Sequence, residues 1–135
     1  MKFMRLVFGI LFILVLIYNA DAGEKQFSVL VNVPIKNELT DRVKSFVTRE
    51  LRGFSDIKLV DQLEHKNRQY FISIVPVQIK LTNGVIVGVA VSYVFQDGER
   101  IMHHVLTGSP EALKTLCQEL VSAFDTTIIE PNRKK

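Results

Sequence analysis

QYFISIVPVQIKLTNGVIVGVAVSYVFQDGERIMHHVLT, residues 69–107, is the stretch on which the fold turns. It reads as three strands, Tyr70 to Leu81, Val85 to Gln96 and Arg100 to Leu106, separated by Asn83-Gly84 and Asp97-Gly98. Both dipeptides tolerate the positive φ angles of two-residue hairpin turns, so the sequence predicts an antiparallel meander. Pro76 interrupts the first of these strands and has no N–H for a ladder, which predicts an edge position or a bulge there. Along the second strand, Val85, Val87, Val89, Val91, Tyr93 and Phe95 fall on one face, and Ile86, Gly88, Ala90, Ser92 and Val94 on the other.

The segments on either side supply the layer that covers this meander. Upstream, Phe27 to Val33 alternates with period two until Pro34 stops it. A helix is expected from about Glu38 to Arg52. Asn37 is its cap, Leu39, Val43, Phe46, Val47 and Leu51 form its apolar stripe, and Gly53 is its C-terminal stop. Ile57 to Val60 is a short strand, and strand–helix–strand suggests a parallel crossover. Downstream, Ser109-Pro110-Glu111 opens a second helix with the stripe Leu113, Leu116, Cys117, Leu120, Val121 and Phe124. The β-branched run Thr126 to Ile129 weakens that helix, and Pro131 is expected to end regular structure. The expectation is an α+β fold: a mixed five-stranded sheet, with the first strand between the second and third, and two helices packed on one face.

Composition separates the chain into three parts. Lys2 and Arg5, the thirteen apolar residues Leu6 to Tyr18 and the small-x-small triplet Ala20-Asp21-Ala22 have the form of a secretory signal peptide, residues 1–22. The alternative is a retained anchor through residues 6–18, although thirteen residues fall short of the roughly 20 that span a bilayer. A single domain, residues 23–130, and a basic tail, residues 131–135, follow. Beyond residue 22 there are fifteen basic and thirteen acidic residues, a net charge of +2. That is too little to argue for nucleic acid or an anionic membrane. Cys117 is the one cysteine, so an exported domain would hold no internal disulfide and no thiolate zinc site.

Residues of the types that carry chemistry are few. His103 and His104 are adjacent on a strand and so point to opposite faces; His65 lies in a polar loop with Asp61 and Glu64. Cys117 sits within an apolar helical stripe, where a buried thiol is the simpler reading. There is no phosphate-binding glycine loop, nucleophile elbow or HExxH. No catalytic residue, metal ligand or cofactor is expected. The alternative is a small metal-dependent or thiol enzyme using His65, His103, His104 or Cys117.

The order of elements resembles the small periplasmic modules typified by the TolB amino-terminal domain and the lipoprotein activators of cell-wall synthases. The resemblance rests on Arg49-Glu50-Leu51-Arg52-Gly53-Phe54 followed by Asp56-Ile57-Lys58-Leu59-Val60-Asp61. The chain departs from TolB in lacking the helix after the second strand and the propeller beyond. It is also similar to small exported bacterial proteins that share the Ala123-Phe124-Asp125 and Glu130-Pro131 ending. The resemblance implies an envelope-located protein-binding module and carries no catalytic residues. Because two helices cover only one sheet face, the other is expected to be covered by a second copy, a different protein or an apolar ligand, a symmetric dimer being the commonest solution. If the small-centred face of the second meander strand meets the helices, the partner-binding residues are Val85, Val87, Val89, Val91, Tyr93 and Phe95.

Overall fold

The computed structural model describes residues 25–62, 66, 68–98 and 100–135; the proposed signal segment, residues 1–22, lies outside them. The elements are β1 (Phe27–Asn32), α1 (Thr40–Leu51), β2 (Ile57–Leu59), β3 (Tyr70–Lys80), β4 (Ile86–Asp97), β5 (Arg100–Gly108), α2 (Leu113–Phe124) and a last turn, α3 (Glu130–Arg133). The sheet order is β2-β1-β3-β4-β5. β1 runs parallel to both β2 and β3, and the β3–β4–β5 meander is antiparallel. The α+β architecture and the central placing of β1 are therefore as the sequence predicts.

Both helical stripes are buried as their spacing requires. Val43, Val47 and Leu51 of α1, and Leu113, Leu116, Cys117, Leu120, Val121 and Phe124 of α2, are all nearly or fully enclosed. The two helices pack on each other and share one core with Val29, Val31, Ile72 and Ile74 of the sheet. Phe124 is the hub of its aromatic part, with ring centroids 5.1 Å from Phe95 and 6.3 Å from Tyr70. Entry to α1 is fixed by side-chain oxygens. Asn37 Oδ1 accepts from Leu39 N at 2.9 Å, and Thr40 Oγ1 accepts from Asn37 N at 2.9 Å.

Several local expectations are corrected. Gly53 does not take a left-handed conformation; α1 unwinds through tighter bonds, Gly53 N to Glu50 O at 3.0 Å and Phe54 N to Leu51 O at 3.2 Å. Pro131 does not end regular structure. Asp125–Ile129 forms a wide π-type turn, and this widening accommodates the missing donor of Pro131 in the next turn. The β-branched run is retained because Ile128 and Ile129 are inserted into the core. Pro76 lies in a central strand, yet β1 pairs with β3 only as far as Ser73. At Pro76 the strand has outrun its neighbour, so the absent N–H has no ladder partner to lose, and Asn37 Nδ2 donates to Pro76 O at 2.7 Å.

Candidate functional site

The side of β4 that meets the helices is the large one. Val89, Val91, Tyr93 and Phe95 are at most 3% exposed and line the core. They therefore cannot form a partner-binding face, contrary to the sequence expectation. Burying four bulky side chains removes far more apolar surface from water than burying Ala90 and Ser92 would. Val85 and Val87 behave differently, at 52% and 46% exposed. The register explains the split. Ile79 is opposite Gly88 but Lys80 is opposite Ile86, so Val87 is an extra residue in a bulge. The bulge breaks the period-two series that appears continuous in the sequence.

The first hairpin also closes with one more residue than a two-residue turn. Leu81 N donates to Val85 O at 2.8 Å and Gly84 N to Leu81 O at 2.9 Å, with Gly84 at φ +83°. This is the three-residue connection with a glycine in the left-handed region. In the second hairpin Asp97 pairs with Arg100, so Gly98, at φ +55°, opens the turn and Asp97 remains in the strand.

Exposed apolar side chains gather in two places. One is the end of the β3–β4 hairpin, which extends beyond the paired lengths of β1 and β5. On it Val77, Ile79, Leu81, Val85, Ile86 and Val87 are each between 40% and 53% exposed. The other is the sheet face opposite the helices. There Val75, Ser92 and Val105 form one cross-strand row, and Ser73, Val94 and His103 the next. Ile101 and Val105 are 67% and 54% exposed at its β5 margin. At the β1 margin Leu30 is buried, and the Arg68 guanidinium lies 4.7 Å from the Phe71 ring centre.

The candidate chemical residues do not converge. Ser92 Oγ and His103 Nε2 are 2.8 Å apart on the open face. His104 is on the helix side of the sheet, stacked on Tyr93 with ring centres 5.6 Å apart. Glu64 and His65 lie outside the described residues. Among the described residues, no three His, Cys, Asp or Glu side chains gather as a metal site would require. Cys117 is fully buried, and its thiol is pushed up to about 11, first by burial and then by the Glu50 charge. It lacks the thiolate a nucleophile needs.

A polar cluster that the sequence does not reveal ties Lys25 and Asp56 to the last helical turn. Arg133, expected in a loose basic tail, grips the Asp56 carboxylate with two donors, one at 3.0 Å, and lies 2.8 Å from Asp125 Oδ1. Its guanidinium also covers the Phe54 ring at 5.7 Å, and Lys25 Nζ donates to Asn132 O at 2.8 Å. The Arg133 hydrogen bond holds the Asp56 carboxyl below the usual carboxylate range against the opposing effect of burial, and the two carboxylates push the Arg133 guanidinium up. These residues wall a shallow hollow of about 560 Å³ with Phe27, Gly53 and Ser55. Arg133 is already neutralised by two carboxylates and Lys25 Nζ is engaged by the Asn132 carbonyl, so the cluster reads as a structural clamp.

No protein-family model matches this chain, and no curated protein does. Among solved structures it is similar to the PelC dodecamer from Paraburkholderia phytofirmans in two crystal forms. In one the identity is 15% and the TM-score 0.47, covering 74% of this chain and 89% of that one. In the other the identity is 14% and the TM-score 0.45, covering 75% and 86%. The Protein Y N-terminal domain from Thermus thermophilus is similar at 9% identity and a TM-score of 0.42, covering 76% and 92%. Among the described residues no helix is long and apolar enough to cross a membrane.

Proposed function

We propose that this chain is an exported, non-catalytic module that works by self-association through the β3–β4 hairpin end and the adjoining open sheet face. The observation that carries the reading is the hairpin itself, with six half-exposed aliphatic side chains from Val77 to Val87 on one projecting element. Apolar residues scattered singly over a surface need no explanation, but six gathered at one hairpin end point to an interface. Of the six residues expected to bind a partner, Val85 and Val87 remain in the proposal. The resemblance to envelope modules of the TolB amino-terminal kind supports the same reading, as do Lys2, Arg5, the apolar run and Ala20-Asp21-Ala22 for export. Light scattering on residues 23–135 tests it. The wild type is expected to weigh at least two copies, and the double substitution Val85→Glu, Val87→Glu is expected to lower that mass while the variant still melts cooperatively within a few degrees of wild type.

A further inference from the structure

The two edges of the sheet are protected very differently. β2, at one edge, is three residues long, and short edge strands offer little to pair with. β5, at the other edge, is nine residues long. Its sequence, Arg100 to Gly108, contains no proline and no lysine, and its pairing with β4 is unbroken by any bulge. Its one arginine, Arg100, lies at the turn and pairs with Asp97, so the rest of the strand lacks the devices by which edge strands avoid pairing with another chain.

The register shows which backbone groups turn away from β4. Asp97 and Arg100 flank a two-residue connection and so form a hydrogen-bonded pair, and such pairs alternate along an antiparallel ladder. Met102, His104 and Leu106 therefore turn their N–H and C=O groups toward β4. Ile101, His103, Val105 and Thr107 turn theirs outward. A second β5, antiparallel to the first, can satisfy all four of these residues in one register only: Ile101 opposite Thr107 and His103 opposite Val105. That register is self-complementary and puts His104 on the two-fold axis, opposite its own copy. It also sets Met102 against Leu106 on the helix side, so apolar side chains meet there. A strand edge about 30 Å long, on a sheet-and-helix body roughly 15–20 Å thick, offers on the order of 500 Å² per copy. The pair then reaches the roughly 1,000 Å² that a specific interface needs.

We infer that two copies of this chain join edge to edge through β5 in this register, forming a continuous ten-stranded sheet with the His104 side chains facing each other across the axis. The inference rests on the self-association reading but uses a different surface from the hairpin.

The test is cross-linking of His104→Cys in residues 23–135, with Ile101→Cys as the comparison. Residues on the axis form a non-hydrogen-bonded pair with Cα atoms about 4.5 Å apart, within disulfide range, whereas the two copies of residue 101 lie at opposite ends of the paired strands. Native Cys117 is fully buried and does not compete. Mild oxidation is expected to convert most of the His104→Cys protein, and little of the Ile101→Cys protein, to a covalent dimer. In the wild type, amide exchange at Ile101, His103, Val105 and Thr107 is expected to slow at least tenfold between dilute and concentrated solution. Equal cross-linking at the two positions, or none at either, overturns the register. If neither links while the wild type still weighs two copies, self-association stands and the edge pairing falls; if neither links and the wild type is a monomer, both fall.

Discussion

Cys117 and Arg133 mark the range of what single residues disclosed. The burial of Cys117 was legible because its neighbours at helical spacing are all apolar, and the stripe fixes its direction. A native-state thiol reagent should leave it unlabelled over hours, and Cys117→Ala should cost on the order of 1 kcal/mol through a small cavity. Rapid labelling would contradict its enclosure. Arg133 was not legible. Its partner Asp56 is 77 residues away, and nothing local distinguishes it from the exposed Lys134 and Lys135. The clamp is partly exposed, so Arg133→Met should cost about 1–2 kcal/mol, between the values for exposed and buried pairs. Asp56 has a depressed carboxyl in the folded state, so its contribution is complete above its unfolded value near 3.8 and is lost as pH falls through the folded one. Denaturant titrations of wild type and Asp56→Asn should differ at pH 6 and converge toward pH 2. A difference that is constant with pH would remove the ionised pair from the explanation.

Elements were legible in type and order, while their faces were not always so. The helical stripes transferred directly to the core, because period 3.6 leaves a single way for an amphipathic helix to lie on a sheet. A strand that is apolar on both faces gives no such instruction. In β4 the choice of inner face depended on bulk, and the bulge at Val87 separated two residues of the series from the other four. This makes a sharp contrast within one strand. Val89→Glu places a charge at a position 1% exposed and should abolish cooperative folding, whereas Val87→Glu, two residues away, should melt within a few degrees of wild type. Circular dichroism melts decide it, and equal behaviour of the two would undo the assignment of faces. The C-terminal segment supplies a second test. Ile129 is fully buried beyond the helix end that its sequence suggested, so Ile129→Ala should cost about 2–5 kcal/mol. A cost near zero would mean that the segment is not docked.

At the scale of the molecule, the sequence disclosed that one sheet face lacks a helical cover, since two helices cannot blanket both. It did not disclose which side chains occupy that face, because that depends on the bulge and on the competition between large and small sets. Nor did it disclose the hairpin end, whose exposure follows from how far β1 and β5 extend alongside β3 and β4. Export is a separate expectation of the whole chain, checked by the intact mass of secreted protein, which should begin at Gly23. If the apolar hairpin and the open face are surfaces for association, multi-angle light scattering of residues 23–135 across a hundredfold dilution, beside the Val85→Glu, Val87→Glu variant, should show it. The expected result is a wild-type mass of two or more copies that falls on dilution, and a lower mass for a folded variant at the higher concentrations. A wild type that remains a monomer throughout, indistinguishable from the variant, would contradict it.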